Sequence, residues 1–213
     1  MQKIKVMVKV KICGITNLED ALKIAELKPD ALGFVFYRKS PRYIKPERAK
    51  EIIKQIPKFI KKVGVFVNDK EQNIKRIAKD LKLDMLQFHG NESPEFCEKF
   101  RDYKIIKAFR VKEKIDFKDM LHYKTSAYLF DTFVKSKIGG TGRKFNWALV
   151  RHLGGFHKPI FLSGGLKAQN VKEAIKQVHP DWVDVSTSVE IKPGKKDYNK
   201  VKEFIEVVKK TAL

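Results

Sequence analysis

Two side chains in this sequence stand where they could move protons. Cys13 ends the run VKVKIC and is followed at once by Gly14, and Asp131 ends AYLFD. A thiol works as a base only as the thiolate, and strand alternation puts Lys11 on the face of Cys13, where its charge would favour that form. Two further stretches suit an anion. In SGGL, Gly164 and Gly165 let backbone amides approach a phosphate; in STSVE, Ser186, Thr187 and Ser188 could open a short helix whose free N–H groups point the same way. Arg42 in YRKSPRYI adds a cation, and His89 in QFHGNES a polar group at another run's end. Taken singly, each has an ordinary reading: a glycine turn, an N-cap, a solvated strand-end carboxylate. An acid and a base beside a phosphate site together suit proton transfer on a sugar phosphate.

Something must carry these residues to one place. Eight β-branched or aromatic runs recur, ending at Cys13, Phe36, Val67, Phe88, Ala108, Asp131, Leu162 and Val185, with room between successive ends for a loop, a helix and the next strand. Between them come helical stripes: Leu18/Ala21/Leu22/Ala25, Ala49/Ile52/Ile53/Ile56, Ile74/Ile77/Ala78/Leu81, Val171/Ala174/Ile175/Val178 and Val201/Phe204/Ile205/Val208. Thr16 with Glu19, Pro46, Asn170 and Asp197 read as helix starts. The helices after the fourth, fifth and sixth runs are less distinct, with 112–122 the poorest. Eight strands alternating with eight helices, without a linker, predict an α/β fold in which residues 1–213 form a single-domain (β/α)8 TIM barrel. A doubly wound open sheet is disfavoured, since no GxGxxG follows the first strand. In a barrel the chemistry sits at the C-terminal strand ends, and phosphate binds between the loops after strands seven and eight.

Composition narrows the partners. The 213 residues are 43% hydrophobic, enough for a sizeable core, and the N-terminal stretch lacks a signal core, so a cytoplasmic protein with no membrane partner is expected. Cys13 and Cys97 have no CxxC spacing, which suggests neither a disulfide framework nor a metal site. Cys97, near Phe96 and Phe100, reads as a small buried hydrophobe. The balance of 46 Lys and Arg against 25 Asp and Glu gives a net +21, which raises nucleic acid as a partner. The lysines are spread over nearly every helical stretch and the phenylalanines mostly take core-type positions, so no nucleic-acid partner is expected; steep salt dependence of binding would say otherwise.

The ordered series KICGIT, GFVF with SPRYI, VGVFVN, LQFHGNES, DT with GGTGRKFNW, LSGGL, and VDVSTSVE with PGKKD resembles the phosphoribosylanthranilate isomerase family, nearly end to end except for 93–125. That resemblance implies an Amadori rearrangement of an aminoaldose phosphate carrying anthranilate, a step toward L-tryptophan, without metal or cofactor, by a monomer or homodimer. It implies Asp131 as the acid that opens the sugar ring and Cys13 as the base at sugar C2. The acid must keep a proton near neutrality, by burial beneath the substrate, and the thiol's pKa must fall. Arg42 would pair with the anthranilate carboxylate. His89 takes a supporting role, and Asp184 either pairs with Lys11 or orients substrate. Ser188 stands where the family has glycine, at a cost of about 1 kcal/mol if φ is positive there and none otherwise. The loop with Gly139, Gly140 and Gly142 lacks a Walker ending and reads as a mobile cover over the substrate. Another phosphosugar barrel isomerase or lyase is the nearest alternative, though a metal-dependent epimerase would want several His and Asp ligands at strand ends.

Overall fold

The computed structural model describes residues 7–111, 117–132, 146–150 and 158–211. Eight parallel strands close on themselves: β1 (Lys9–Cys13), β2 (Ala31–Val35), β3 (Lys61–Phe66), β4 (Met85–Phe88), β5 (Lys104–Val111), β6 (Ala127–Thr132), β7 (Ile160–Leu162) and β8 (Trp182–Val185). Closure is explicit at β1, where Lys11 pairs in register with Ala31 of β2 on one side and Asp184 of β8 on the other. A barrel of this kind leaves no open edge and gathers all eight strand ends at one mouth.

Seven α-helices lie among the described residues: α1 (Leu18–Glu26), α2 (Pro46–Ile53), α3 (Glu71–Asp80), α4 (Pro94–Glu98), α5 (Phe117–Leu121), α6 (Ala168–Val178) and α7 (Tyr198–Lys210). Between β6 and β7 the described residues hold a 3-10 turn, Trp147–Val150. The expected stripes are the buried faces of α3, α6 and α7. On α1 the phase shifts: Ile24 is buried and Leu22 is 38% exposed. Helix starts also move. Asn17, not Thr16, caps α1, its Oδ1 accepting the Asp20 N–H at 2.9 Å, while the Thr16 hydroxyl donates to the Gly194 carbonyl. Asn170 is one turn inside α6, with Oδ1 accepting the Lys167 N–H at 2.8 Å, whereas Pro46 and Asp197 sit as expected. Four strand ends, Cys13, Phe88, Leu162 and Val185, fall where expected; those of β2, β3 and β6 move by one residue, and β5 runs on to Val111 rather than stopping at Ala108.

Alternation along each strand separates two cores. Outward residues such as Val10, Ile12, Phe34 and Phe130 pack against the helices. Inside, Ala31, Val63, Ile106, Ala127, Phe161 and Trp182 plug the N-terminal half, with the Phe161 and Trp182 rings stacked at 4.7 Å. Above that apolar plug the inward positions become polar: Lys11, Gln87, Asp184, then His89 and Asp131, all buried. Beyond β8 the chain makes a 3-10 turn, Thr187–Val189, and a hairpin of β9 (Glu190–Lys192) and β10 (Lys195–Lys196) before α7. No helix among the described residues is long and apolar enough to cross a membrane.

Candidate active site

A cavity opens at the C-terminal mouth, lined by Asp131, Ser163 to Leu166 and Asp184 to Ser188. It therefore gathers Asp131, Gly164, Gly165, Asp184, Ser186, Thr187 and Ser188. The other three candidates border it through bonds: His89 Nε2 is 3.2 Å from Asp131 Oδ2, Arg42 Nη2 is 3.2 Å from Thr187 Oγ1, and Cys13 is joined through Lys11, whose Nζ is 2.8 Å from Asp184 Oδ1. Gly139, Gly140 and Gly142 of the expected covering loop lie outside the described residues. Among the described residues no three His, Cys, Asp or Glu side chains converge as a metal-ligand set.

The rim of the cavity is built from backbone. Gly164 and Gly165 adopt φ +84° and +67°, conformations that favour glycine, and a Cβ on Gly164 would come within 3.2 Å of Asp131 Oδ1. Asn170 Nδ2 donates to Gly165 O at 3.0 Å, tying this turn to α6. Ser188 lies in the 3-10 turn and not among the positive-φ residues, so serine is unstrained there. Its hydroxyl instead donates to Leu166 O at 2.5 Å and clips the two rim loops together. The Ser186 hydroxyl is buried without a partner among the described residues.

Asp131 is held on both oxygens. Oδ1 accepts the Thr132 N–H at 2.7 Å and Oδ2 faces His89. The other ring nitrogen of His89 is 2.8 Å from Gln87 Nε2. The Gln87 Nε2 amide can only donate, so Nδ1 accepts it and a neutral ring presents Nε2–H to Asp131 Oδ2.

The thiol corrects an expectation. Burial pushes the Cys13 pKa up, not down; the charges of Lys11 and Lys196 pull it back, and Asp184 opposes them. Desolvation of the anion outweighs the cations because the site is closed and Lys11 already shares its charge with Asp184. Burial also works against the charge on Lys11, but Asp184 and Cys13 more than offset it, leaving Lys11 raised. Of the two alternatives for Asp184, pairing with Lys11 is what the structure holds.

Arg42, too, is more fixed than an exposed loop residue. It is 7% exposed, its Nε and Nη2 rest on Glu190, and its aliphatic stem covers Gly14, whose φ is +71°. Three residues with no assigned role in the sequence reading stand out. Glu190 and Lys196 brace Arg42, and Gly33 leaves room for the thiol: a Cβ there would lie 2.8 Å from Cys13 Sγ. Their signals were present, Glu190 closing STSVE, Lys196 within PGKKD and Gly33 within GFVF, but only the barrel shows what each one touches.

Comparison with known proteins gives a single direction. A family model described as N-(5'phosphoribosyl)anthranilate (PRA) isomerase matches residues 10–207. The chain is similar to the N-(5'-phosphoribosyl)anthranilate isomerase of Pelobacter propionicus, 48% identical over 205 residues, covering 96% of this chain and 97% of that protein. It is similar to the crystal structure of phosphoribosyl anthranilate isomerase from Thermotoga maritima, with TM-score 0.87, 44% identity, and 95% and 99% of the two chains covered. A crystal structure of the isomerase in complex with reduced 1-(o-carboxyphenylamino)-1-deoxyribulose 5-phosphate matches with TM-score 0.84, 43% identity, and 95% and 99% coverage.

Proposed function

The chain belongs to the N-(5'-phosphoribosyl)anthranilate isomerase family, and from that premise we propose how its side chains divide the work. The enzyme is an isomerase of L-tryptophan biosynthesis that converts an aminoaldose into an aminoketose: phosphoribosylanthranilate becomes 1-(2-carboxyphenylamino)-1-deoxyribulose 5-phosphate.

In this reading Asp131, beneath the rim, delivers its proton to the ring oxygen as the C1–O bond breaks, and the nitrogen lone pair forms the C1=N iminium. Cys13, as thiolate, then takes the sugar C2 proton; the released electron pair becomes the C1=C2 bond of the enolamine and quenches the iminium. The enolamine tautomerises to the ketone. The iminium charge adds to those of Lys11 and Lys196 in favouring the thiolate, offsetting the burial that opposes it in the free site. Gly164, Gly165, Ser186, Thr187 and Ser188 hold the phosphate, His89 steadies Asp131, Asp184 keeps Lys11 charged, and the Arg42 fork takes the anthranilate carboxylate.

The observation that carries this reading is the cavity itself, which sets Asp131 against glycines at positive φ and a buried Ser186 hydroxyl that has no partner among the described residues. All these residues come from one chain, so monomer and homodimer alike fit, and residues 1–213 read as one barrel domain. Two free cysteines and a biosynthetic role go with a cytoplasmic location. The test follows the fluorescence loss of phosphoribosylanthranilate made in situ. Cys13→Ala and Asp131→Ala should each lose about 10²- to 10⁴-fold in kcat; unchanged turnover in both would remove the assignment.

A further inference from the structure

An arginine meant for a substrate carboxylate already has one in this structure. Arg42 Nε lies 2.9 and 3.2 Å from the two oxygens of Glu190, and Nη2 lies 2.6 Å from Oε2. Both residues are 7% exposed. A neutral buried pair of this kind would make a poor anion site, so the surroundings of Glu190 matter.

Glu190 is fixed from behind. Its Oε1 accepts from Lys196 Nζ at 2.9 Å and from the Gly194 N–H at 3.2 Å, and Lys196 Nζ also donates to Ser186 O at 3.3 Å. Burial works to keep Glu190 protonated, yet the hydrogen bonds from Arg42 and the charge of Lys196 hold its pKa below the ordinary glutamate value. Burial works against the charge on Lys196 and lowers its pKa, though Glu190 and Cys13 pull the other way; with Lys196 charged, the trio carries two cations and one carboxylate in a closed setting where charge acts strongly.

Geometry points the same way. Glu190 occupies the Nε and Nη2 side of the planar fork, while Nη1 makes no bond to the described residues. A guanidinium gripped along one edge has one orientation, so its remaining donors are aimed before substrate arrives. Thr187, bonded to Nη2 at 3.2 Å, ties that orientation to the phosphate rim.

We propose that Glu190, braced by Lys196 on the β9–β10 hairpin, is the positioning residue that aims Arg42 at the aryl carboxylate and thereby sets the preference for anthranilate over uncarboxylated aniline on the sugar. This rests on the assignment of Arg42 to that carboxylate. A brace that only held the hairpin in place would burden both substrates equally.

The experiment compares kcat/KM for two aminoaldoses, made by condensing ribose 5-phosphate with anthranilate or with aniline. Wild type, Arg42→Gln, Glu190→Gln, Glu190→Asp and Lys196→Met are assayed, each checked for folding by circular dichroism. Glu190→Gln should shrink the preference for the carboxylated substrate by about 10-fold, the scale of a charged hydrogen bond, mainly through KM, while turnover of the aniline substrate changes little. Glu190→Asp keeps the charge but draws the fork back, and Lys196→Met removes the surplus charge; both should fall between. These two carry the test if Glu190→Gln does not fold. If Arg42→Gln leaves the preference intact, the carboxylate assignment itself fails. If Arg42→Gln abolishes the preference while the folded Glu190 and Lys196 variants weaken both substrates alike, the positioning role is overturned and the Arg42 assignment stands.

Discussion

Lys11 Nζ lies 2.8 Å from Asp184 Oδ1 inside the barrel, on the same face of β1 as Cys13. The two partners are register neighbours on adjacent strands, so a short lateral contact joins them. Neither charge could sit there alone. Together they place a fixed cation below the thiol without exposing it to water.

Removing one partner should therefore show in two measurements. Lys11→Met leaves Asp184 buried and unpaired, with an expected loss of about 3–5 kcal/mol in urea unfolding. In whatever fraction folds, the Cys13 pKa should rise further, because Lys11 is the largest cationic influence holding it down. The alkaline limb of kcat/KM would then move to higher pH than in the wild type.

The wild-type profile has its own sign. As the proposed base Cys13 works as thiolate while Asp131 still holds its proton, so kcat/KM has two limbs, and the one that belongs to the thiol reports its raised pKa. That limb should lie above the ordinary cysteine value of about 8.5. A base limb at or below neutrality would contradict the burial-dominated thiol.

Gly33 should tolerate no side chain. A Cβ there would lie 2.8 Å from Cys13 Sγ and 3.3 Å from Lys11 Cε. Gly33→Ala should destabilise by about 1–3 kcal/mol, as overpacking does, and turn the thiol away from the mouth. The expected readout is a large fall in kcat, with slower labelling of Cys13 by a thiol reagent if the methyl also shields it.

His89→Ala leaves Asp131 with the Thr132 N–H as its hydrogen-bond partner among the described residues and frees its rotation. A drop in kcat of up to about 10²-fold is expected, the scale that misplacing a catalytic group carries, with KM little changed. A KM effect without a kcat effect would make His89 a binding residue instead.

Acid stability tests the Glu190 cluster separately. Its pKa is lowered in the folded state, so its contribution is present above the ordinary glutamate value of about 4.3 and is lost as pH falls through the folded value. Urea midpoints taken from pH 6 downward should fall less steeply in Glu190→Gln than in the wild type.

Much of this was legible in the chain, for stated reasons. Period-2 runs and 3.6-period stripes repeat eight and five times, and repetition turns weak local signals into a barrel, which in turn marks Cys13, His89 and Asp131 as mouth residues. What stayed hidden depends on contacts across the sequence. Arg42 and Glu190 are 148 residues apart and Lys11 and Asp184 are 173, so no local pattern announces either pair. The thiol's direction is hidden for the same reason: the sequence puts Lys11 beside Cys13, but the burial that outweighs it is a property of the closed barrel. At Ser188 the sequence left the sign of φ open, and the 3-10 turn settles it.

The division of labour between Cys13 and Asp131 is tested most directly by the kinetic isotope effect on kcat with deuterium at sugar C2. With Cys13→Ala, breaking the C2–H bond becomes the slow step and the isotope effect should rise toward its full value. With Asp131→Asn, ring opening becomes slow and the effect should shrink toward unity. The reverse pattern, or an isotope effect unmoved by either substitution, would contradict a thiol at C2 and a carboxyl at the ring oxygen.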